Sequence, residues 1–141
     1  MLFLMSVIGY SQAEQKIPNS VLRFEKEMKN NKHKLALDML LKGSSLKKDL
    51  TSQDMAAMAS QLKKDLGKYG TFFGIIPVAE QSFGSLKKSL YELSFSNLPY
   101  FLEIYWYQPK SSSQAQILQF VFIDQPDQMY AEWFTISKSK K

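Results

Sequence analysis

The chain has 141 residues, of which 45% are hydrophobic and 22% are charged, as expected for one globular domain with a buried core. It contains no cysteine, which excludes a disulfide framework, thiol catalysis and a lipidated N-terminal cysteine. The net charge is +5, yet Arg23 is the only arginine among the 18 basic residues. Because nucleic-acid readers depend on the planar guanidinium group, this composition argues against nucleic acid as a partner.

The first 13 residues are uncharged and mostly apolar, and their apolar run at 2–8 is too short to span a bilayer. Ser11 and Ala13 place small residues at the third-last and last positions, as a signal peptidase site requires. We therefore predict a secretory signal peptide at 1–13, a periplasmic or secreted protein, and no stable membrane insertion after signal removal. The alternative is a buried N-terminal strand or helix.

The rest of the chain is predicted to form one α+β domain over 14–136, followed by a basic, disordered tail at 137–141. Two or three helices come first. Pro18 and Asn19 mark the start of one helix, and the next is predicted over 32–41. The apolar faces predicted for these two helices consist of Val21, Phe24 and Met28, and of the pairs Leu35/Met39 and Ala36/Leu40.

The third helix has the clearest local signal. Thr51 and Asp54 have the spacing of a capping box, in which each side chain bonds the other residue's backbone. The apolar stripe that follows is more typical of core than of an adaptable methionine-rich groove. It consists of Met55, Met58, Ala59, Leu62 and Leu66.

Three runs rich in aromatic and β-branched residues follow, at 86–95, 100–108 and 115–123. Their connections are short and polar, which favours antiparallel hairpins over parallel crossovers. An earlier strand is predicted within 71–83, where Pro77 indicates a sheet edge or a bulge. Residues 129–136 are predicted to form a last strand or short helix that packs back on the domain.

The run at 100–108 alternates between two faces. We expect one face to pack on the helices, and it consists of Tyr100, Leu102, Ile104 and Trp106. The other face holds Phe101, Glu103, Tyr105 and Tyr107. This second face has more aromatic residues than is usual for a face exposed to solvent. The pattern therefore predicts that a partner subunit or a bound apolar ligand covers it.

Several segments resemble small exported bacterial members of the nuclear transport factor 2-like superfamily, whose helices pack on a curved antiparallel sheet to form a cone. The likeness extends over about 20–123 and rests on short segments. They are 35–41 (second helix), 66–70 (helix end), 83–86 with Tyr91 (start of a strand), and 105–110 with 118–122 (last hairpin). The resemblance implies the cone-like fold but not one activity, since the superfamily includes isomerases, dehydratases and non-catalytic binding or dimerising domains.

The catalytic isomerases of that superfamily use an acidic base with a tyrosine or protonated acid in an apolar cone. Here Glu103 and Tyr105 lie two residues apart on one strand face, with Tyr91 a further hydroxyl. We favour the interpretation of Glu103 as an exposed carboxylate on the outer sheet face. Asp38 is the other candidate carboxylate, and we expect it to face solvent.

His33 is the only histidine, and it lies between Lys32 and Lys34, which discourage its protonation and repel metals. We expect it to be a surface residue. No catalytic residue, metal site or cofactor is predicted, because no serine-hydrolase, phosphate-loop or zinc motif occurs in the sequence.

The sequence therefore favours a non-catalytic module that binds a small apolar molecule or forms a homodimer through its sheet face. Its candidate ligand-binding residues are Tyr91, Glu103, Tyr105 and Trp106. The alternative is a small isomerase-like or lyase-like enzyme that uses Glu103 or Asp38, which would require one of these carboxylates to lie buried in the hollow of the cone.

Overall fold

The fold is that of a computed structural model, which describes residues 16–111, 114–127 and Trp133. The helices of this part are α1 (Asn19–Lys29), α2 (His33–Leu41), α3 (Ser45–Lys48) and α4 (Ser52–Leu66), followed by a 3-10 turn at Gly67–Tyr69. The strands are β1 (Phe72–Phe83), β2 (Leu86–Phe95), β3 (Tyr100–Tyr107) and β4 (Gln116–Ile123). This order confirms the α+β class, with helices that precede an antiparallel sheet. The short helix α3 was not predicted.

Local signals account for the limits of α1 and α4. Asn31, with φ of +59°, lies in the turn that follows α1. The capping box at α4 is confirmed: Asp54 N donates to Thr51 Oγ1 at 3.0 Å, and Thr51 N donates to Asp54 Oδ2 at 2.9 Å. Two backbone donors that have no partner inside the helix are satisfied in this way.

The buried face of α2 differs from the predicted one. Ala36 and Leu40 are buried as expected, but Leu37 and Leu41 accompany them. Leu35 and Met39 are only half-buried. Because α2 packs against both α1 and α4, its core face is wider than a single stripe and is centred elsewhere than predicted.

The sheet is an open meander in the order β1-β2-β3-β4, with every neighbouring pair antiparallel. Tyr91 on β2 is paired with Leu102 on β3, and Ser89 with Ile104. β1 is an edge strand with register shifts between Phe72 and Gly74 and between Pro77 and Ala79. The expectation that Pro77 lies at an edge or a bulge is therefore confirmed, since proline cannot donate to a regular ladder.

The main core lies between the helices and one face of the sheet, which we call the inner face. As the alternation predicts, Tyr100, Leu102, Ile104 and Trp106 lie on this face. Val21, Phe24 and Met28 of α1 pack into the same core, together with the buried face of α2 and the stripe of α4. Phe24 of α1 lies 6.4 Å from Phe122 of β4, measured between ring centroids.

The opposite, outer face is covered in part by the chain itself. Trp133 is 4% exposed and forms a second apolar cluster with Leu90 and Phe101. The predicted partner subunit or apolar ligand is therefore not needed to cover Phe101. Apart from Trp133, the predicted last element at 129–136 lies outside the described residues.

The predicted signal peptide at 1–13 and the basic tail at 137–141 also lie outside the described residues. Within the described part of the chain, no helix has the length and apolarity needed to cross a membrane.

Candidate functional site

The four predicted site residues are divided between the two faces of the sheet. Tyr91 and Trp106 lie on the inner face, within the main core. Glu103 and Tyr105 lie on the outer face, on the alternate positions of β3. The structure therefore brings these residues together in pairs and not as one cluster of four.

On the outer face, Glu103 is buried, with 3% of its surface exposed. The hydroxyl of Tyr105 donates to Glu103 Oε1 at 3.0 Å, and the indole nitrogen of Trp133 donates to Oε2 at 2.5 Å. The expectation of an exposed carboxylate is wrong because Trp133, distant in sequence, covers it. The pairing with Tyr105 is present, but the face is the one away from the helices.

Lys88 lies beside Tyr105 and Trp133, the two aromatic residues that bond Glu103. Its Nζ lies 4.4 Å from the centroid of the Trp133 ring and 5.8 Å from that of Tyr105. A cation over an aromatic face is attracted by the negative potential of the ring. Glu103, Lys88 and the two rings therefore form a compact polar and aromatic contact that holds Trp133 on the sheet.

The other two polar candidates lie on α2. Asp38 forms ion pairs with Lys34 at 3.3 Å and with Lys47 at 3.6 Å, and its side chain is 22% exposed. His33 is half-buried, and not fully on the surface as expected. Burial and then the charge of Lys63 lower the pKa of His33, while a backbone hydrogen bond with Asn31 opposes the shift. This His is therefore biased toward its neutral form.

On the inner face, the ring of Trp106 is fixed by a buried hydrogen bond. Its indole nitrogen donates to Ser89 Oγ at 3.1 Å. Burial raises the pKa of the nearby Tyr91 to about 12, although a hydrogen bond with Ser89 acts in the opposite direction. Tyr91 is thus a neutral core hydroxyl, whereas Trp106, itself only 4% exposed, lies at the edge of the core.

That edge contains a cavity of about 350 Å³ between the N-terminal end of α1, the α2–α3 turn, and the parts of the sheet near Trp106. We call it the basic cavity. Arg23, Lys42, Ser44, Lys87, Trp106 and Gln116 are among its lining residues. No aspartate or glutamate is among the described residues that line it. Its volume is within the range of roughly 300–1,000 Å³ that small-molecule sites occupy.

The three cations of the basic cavity differ in their partners. Lys87 bonds Glu80 at 3.5 Å and lies 5.8 Å from the Trp106 ring centroid. Arg23 and Lys42 form no ion pair with any described residue. The cavity therefore has two cationic groups that the described chain does not neutralise.

A second, more open cavity of about 530 Å³ adjoins the first, near the β1–β2 turn. Lys87, Trp106 and Ala115 line both cavities, and Lys110 lines the second. No acidic residue is among its described lining residues either. Lysine side chains thus line both of the cavities that Trp106 also lines.

The sequence did not single out Arg23, Lys42, Lys87 or Ser89 as site residues. No sequence motif marks Arg23 or these lysines as site residues. Arg23, Lys42 and Lys87 are far apart in the sequence, so the sequence alone does not show that they line one cavity. Of the predicted site residues, Trp106 alone lines the basic cavity.

Comparisons with protein-family models, curated proteins and solved structures found no match for this chain. Within the described residues, no three His, Asp or Glu side chains are grouped so as to hold a metal ion. Function has therefore to be inferred from the cavities and buried groups of the chain itself.

Proposed function

We propose that this protein is a non-catalytic binding module of the periplasm or extracellular space that holds a small molecule in the basic cavity. The observation that carries the proposal is the cavity of about 350 Å³ beside Trp106. Concave sites with a rigid aromatic wall and a few convergent polar groups are typical of small-molecule binding. The hydrogen bond from Trp106 to Ser89 supplies that rigidity, because the ring is held before any ligand arrives.

The composition of the site favours a polar ligand over the apolar ligand expected from the sequence. The region between helices and sheet is filled with core side chains such as Leu37, Leu102 and Ile104, which are fully buried. The basic cavity lies at the end of this core and presents Arg23 and Lys42. A ligand there would contact charged groups on one side and Trp106 on the other.

Membership in the nuclear transport factor 2-like superfamily is part of the proposal. Its support is the arrangement of helices packed on one face of an open four-stranded antiparallel sheet. The basic cavity lies at one end of the core between these helices and the sheet. A homodimer through the outer face has weaker support, since Trp133 covers Phe101 and Glu103 there.

The enzymatic alternative has less support from the geometry. An isomerase-like or lyase-like site would need a carboxylate in a cavity with a free oxygen. Both oxygens of Glu103 accept hydrogen bonds, and Glu103 lines neither cavity beside Trp106. Asp38 is neutralised by Lys34 and Lys47. We therefore favour binding over catalysis.

The two tryptophans of the chain provide a direct test. In ¹H–¹⁵N spectra, each indole N–H gives its own signal, one from Trp106 beside the basic cavity and one from Trp133 on the outer face. A library of small charged and neutral metabolites should contain compounds that shift the Trp106 signal saturably and leave the Trp133 signal in place. Shifts confined to Trp133, or no saturable shift with any compound, would refute binding in the basic cavity.

A further inference from the structure

Given the proposed function, on which this inference rests, we propose that the ligand of the basic cavity is an anion: a small organic molecule that carries two or more carboxylate or phosphate charges. The inference comes from the arrangement of charge around the cavity. Arg23 and Lys42 face it from two different helical regions, and Lys87 faces it from the sheet.

The charge of the cavity is not balanced by the described chain. Glu80 neutralises part of the charge of Lys87, but Arg23 and Lys42 have no acidic partner among the described residues. Three like charges around one concavity repel one another, and an anion between them removes that repulsion. A neutral or cationic ligand would leave the repulsion in place or increase it.

The cavity also has groups suited to the shape of an oxyanion. Arg23 offers a planar fork that can bond two oxygens of a carboxylate or phosphate at once, whereas the lysines act as point charges. Neutral donors such as Asn19 and Gln116 lie in the same lining. They supply hydrogen bonds without adding negative charge.

More than one negative charge is expected from the distribution of the cations. Lys87 lies between the basic cavity and its neighbour, which adds Lys110. The combined surface is therefore longer than one carboxylate or phosphate group. A di- or tricarboxylate, or a phosphate ester with a second charged group, would match it better than a single anion.

The probes for the test are citrate, inorganic phosphate, the neutral diamide succinamide and the cation putrescine. The readout is the Trp106 indole signal, because Lys87 lies 5.8 Å from the centroid of that ring. Citrate should shift the signal saturably, and its dissociation constant should rise with salt because the cations are accessible to solvent. Phosphate distinguishes the sources of charge: a stronger response to phosphate assigns a phosphate ligand, and a stronger response to citrate assigns a carboxylate.

Arg23→Gln and Lys42→Gln should each weaken citrate binding by about two- to fivefold, in keeping with the loss of one ion pair at a solvent-exposed cation. Arg23→Lys should retain part of the affinity. Lys26→Gln and Lys48→Gln are matched controls, since they remove the same charge from α1 and α3 outside the cavity lining. Equal losses of citrate affinity in the two controls would contradict binding in the basic cavity.

The failure of this inference can be distinguished from failure of the proposed function. Saturable shifts of Trp106 by succinamide or putrescine, with none by citrate or phosphate at millimolar concentration, would overturn the anion and leave small-molecule binding intact. If no compound shifts the Trp106 signal, both the anionic ligand and small-molecule binding in the basic cavity are refuted.

Discussion

The indole nitrogen of Trp133 donates to Glu103 Oε2 at 2.5 Å, so a residue near the end of the chain completes the bonding of a carboxylate buried in the middle of the sheet. The hydroxyl of Tyr105 satisfies the other oxygen at 3.0 Å. A buried carboxylate that loses a donor has no water to replace it. The stability of the outer face should therefore depend on both donors.

Replacing either donor by phenylalanine tests this dependence. Tyr105→Phe and Trp133→Phe should each lower the free energy of unfolding by about 1.5–3 kcal/mol, the usual range for hydrogen bonds to charged groups. Urea unfolding followed by circular dichroism measures the change. Tyr107→Phe is the control, because Tyr107 lies on the same face of β3 but is 38% exposed. Equal effects at all three positions would contradict a special role for the Glu103 contacts.

The junction between the 3-10 turn and β1 leads to a second prediction. Gly70 has φ of +93°, and a Cβ there would lie 2.1 Å from Ser96 Oγ. That hydroxyl accepts a hydrogen bond from Thr71 N at 2.9 Å, and moving it away would break this bond. Gly70→Ala should therefore destabilise the protein by about 1–3 kcal/mol, the usual cost of a backbone held in a sparsely populated region.

Gly67, three residues earlier, provides the matched comparison for Gly70. It has the helical φ of −57° and no heavy atom within 4 Å of an added Cβ. Gly67→Ala should leave stability unchanged or raise it by about 0.5 kcal/mol, since it restricts the unfolded chain. Thermal unfolding of the two variants should diverge in sign or size. Similar losses in both would show that neither steric contact nor φ decides the effect.

The position of His33 predicts a pH effect. Because burial and Lys63 lower its pKa below 6.5, the unfolded chain takes up a proton at a higher pH than the native protein does. Stability should therefore fall as pH drops below 6.5 and stop falling, for this group, below the native pKa. Lys63→Gln should raise the pKa of His33 in an NMR titration of its ring protons, and Lys64→Gln should not. No response to either change would remove Lys63 as a cause.

The capping box at α4 contains an acidic group, Asp54, and predicts that stability changes in acid. The backbone N–H and then the side chain of Thr51 lower the pKa of the exposed Asp54 below its ordinary value of 3.8. Its contribution to stability should be complete above that value and be lost as pH falls through the native pKa. The stability difference between the parent protein and Asp54→Asn should therefore shrink in strong acid. Asp49→Asn, an exposed change just before the box, is the control.

Periodicity and capping were sufficient to predict much of the fold. The alternation of Leu102 and Ile104 with Phe101 and Glu103 predicted which side of β3 meets the helices, because strand geometry fixes it locally. Pro77 predicted the irregular edge strand for an equally local reason. The buried face of α2 was predicted only in part, through Ala36 and Leu40, since most of its residues are apolar and more than one stripe fits them.

The candidate site could not be predicted in the same way. Whether Glu103 is exposed depends on Trp133, which is 30 residues away and docks from a different part of the chain. The basic cavity depends on Arg23, Lys42 and Lys87, which are brought together only by the packing of helices on the sheet. Charged residues follow no periodic pattern in a single sequence, so their positions do not predict which of them come together in the fold.

The irregular edge of the sheet affects how copies of this protein could assemble. β1 is interrupted by Pro77, Gly74 and two register shifts, so its outer side offers no continuous row of donors and acceptors to another strand. The other outer strand, β4, contains no proline or glycine, but its pairing with β3 is also shifted, between Tyr105 and Trp106. Neither outer strand therefore presents a regular row of backbone donors and acceptors, which disfavours edge-to-edge growth of this sheet into a filament.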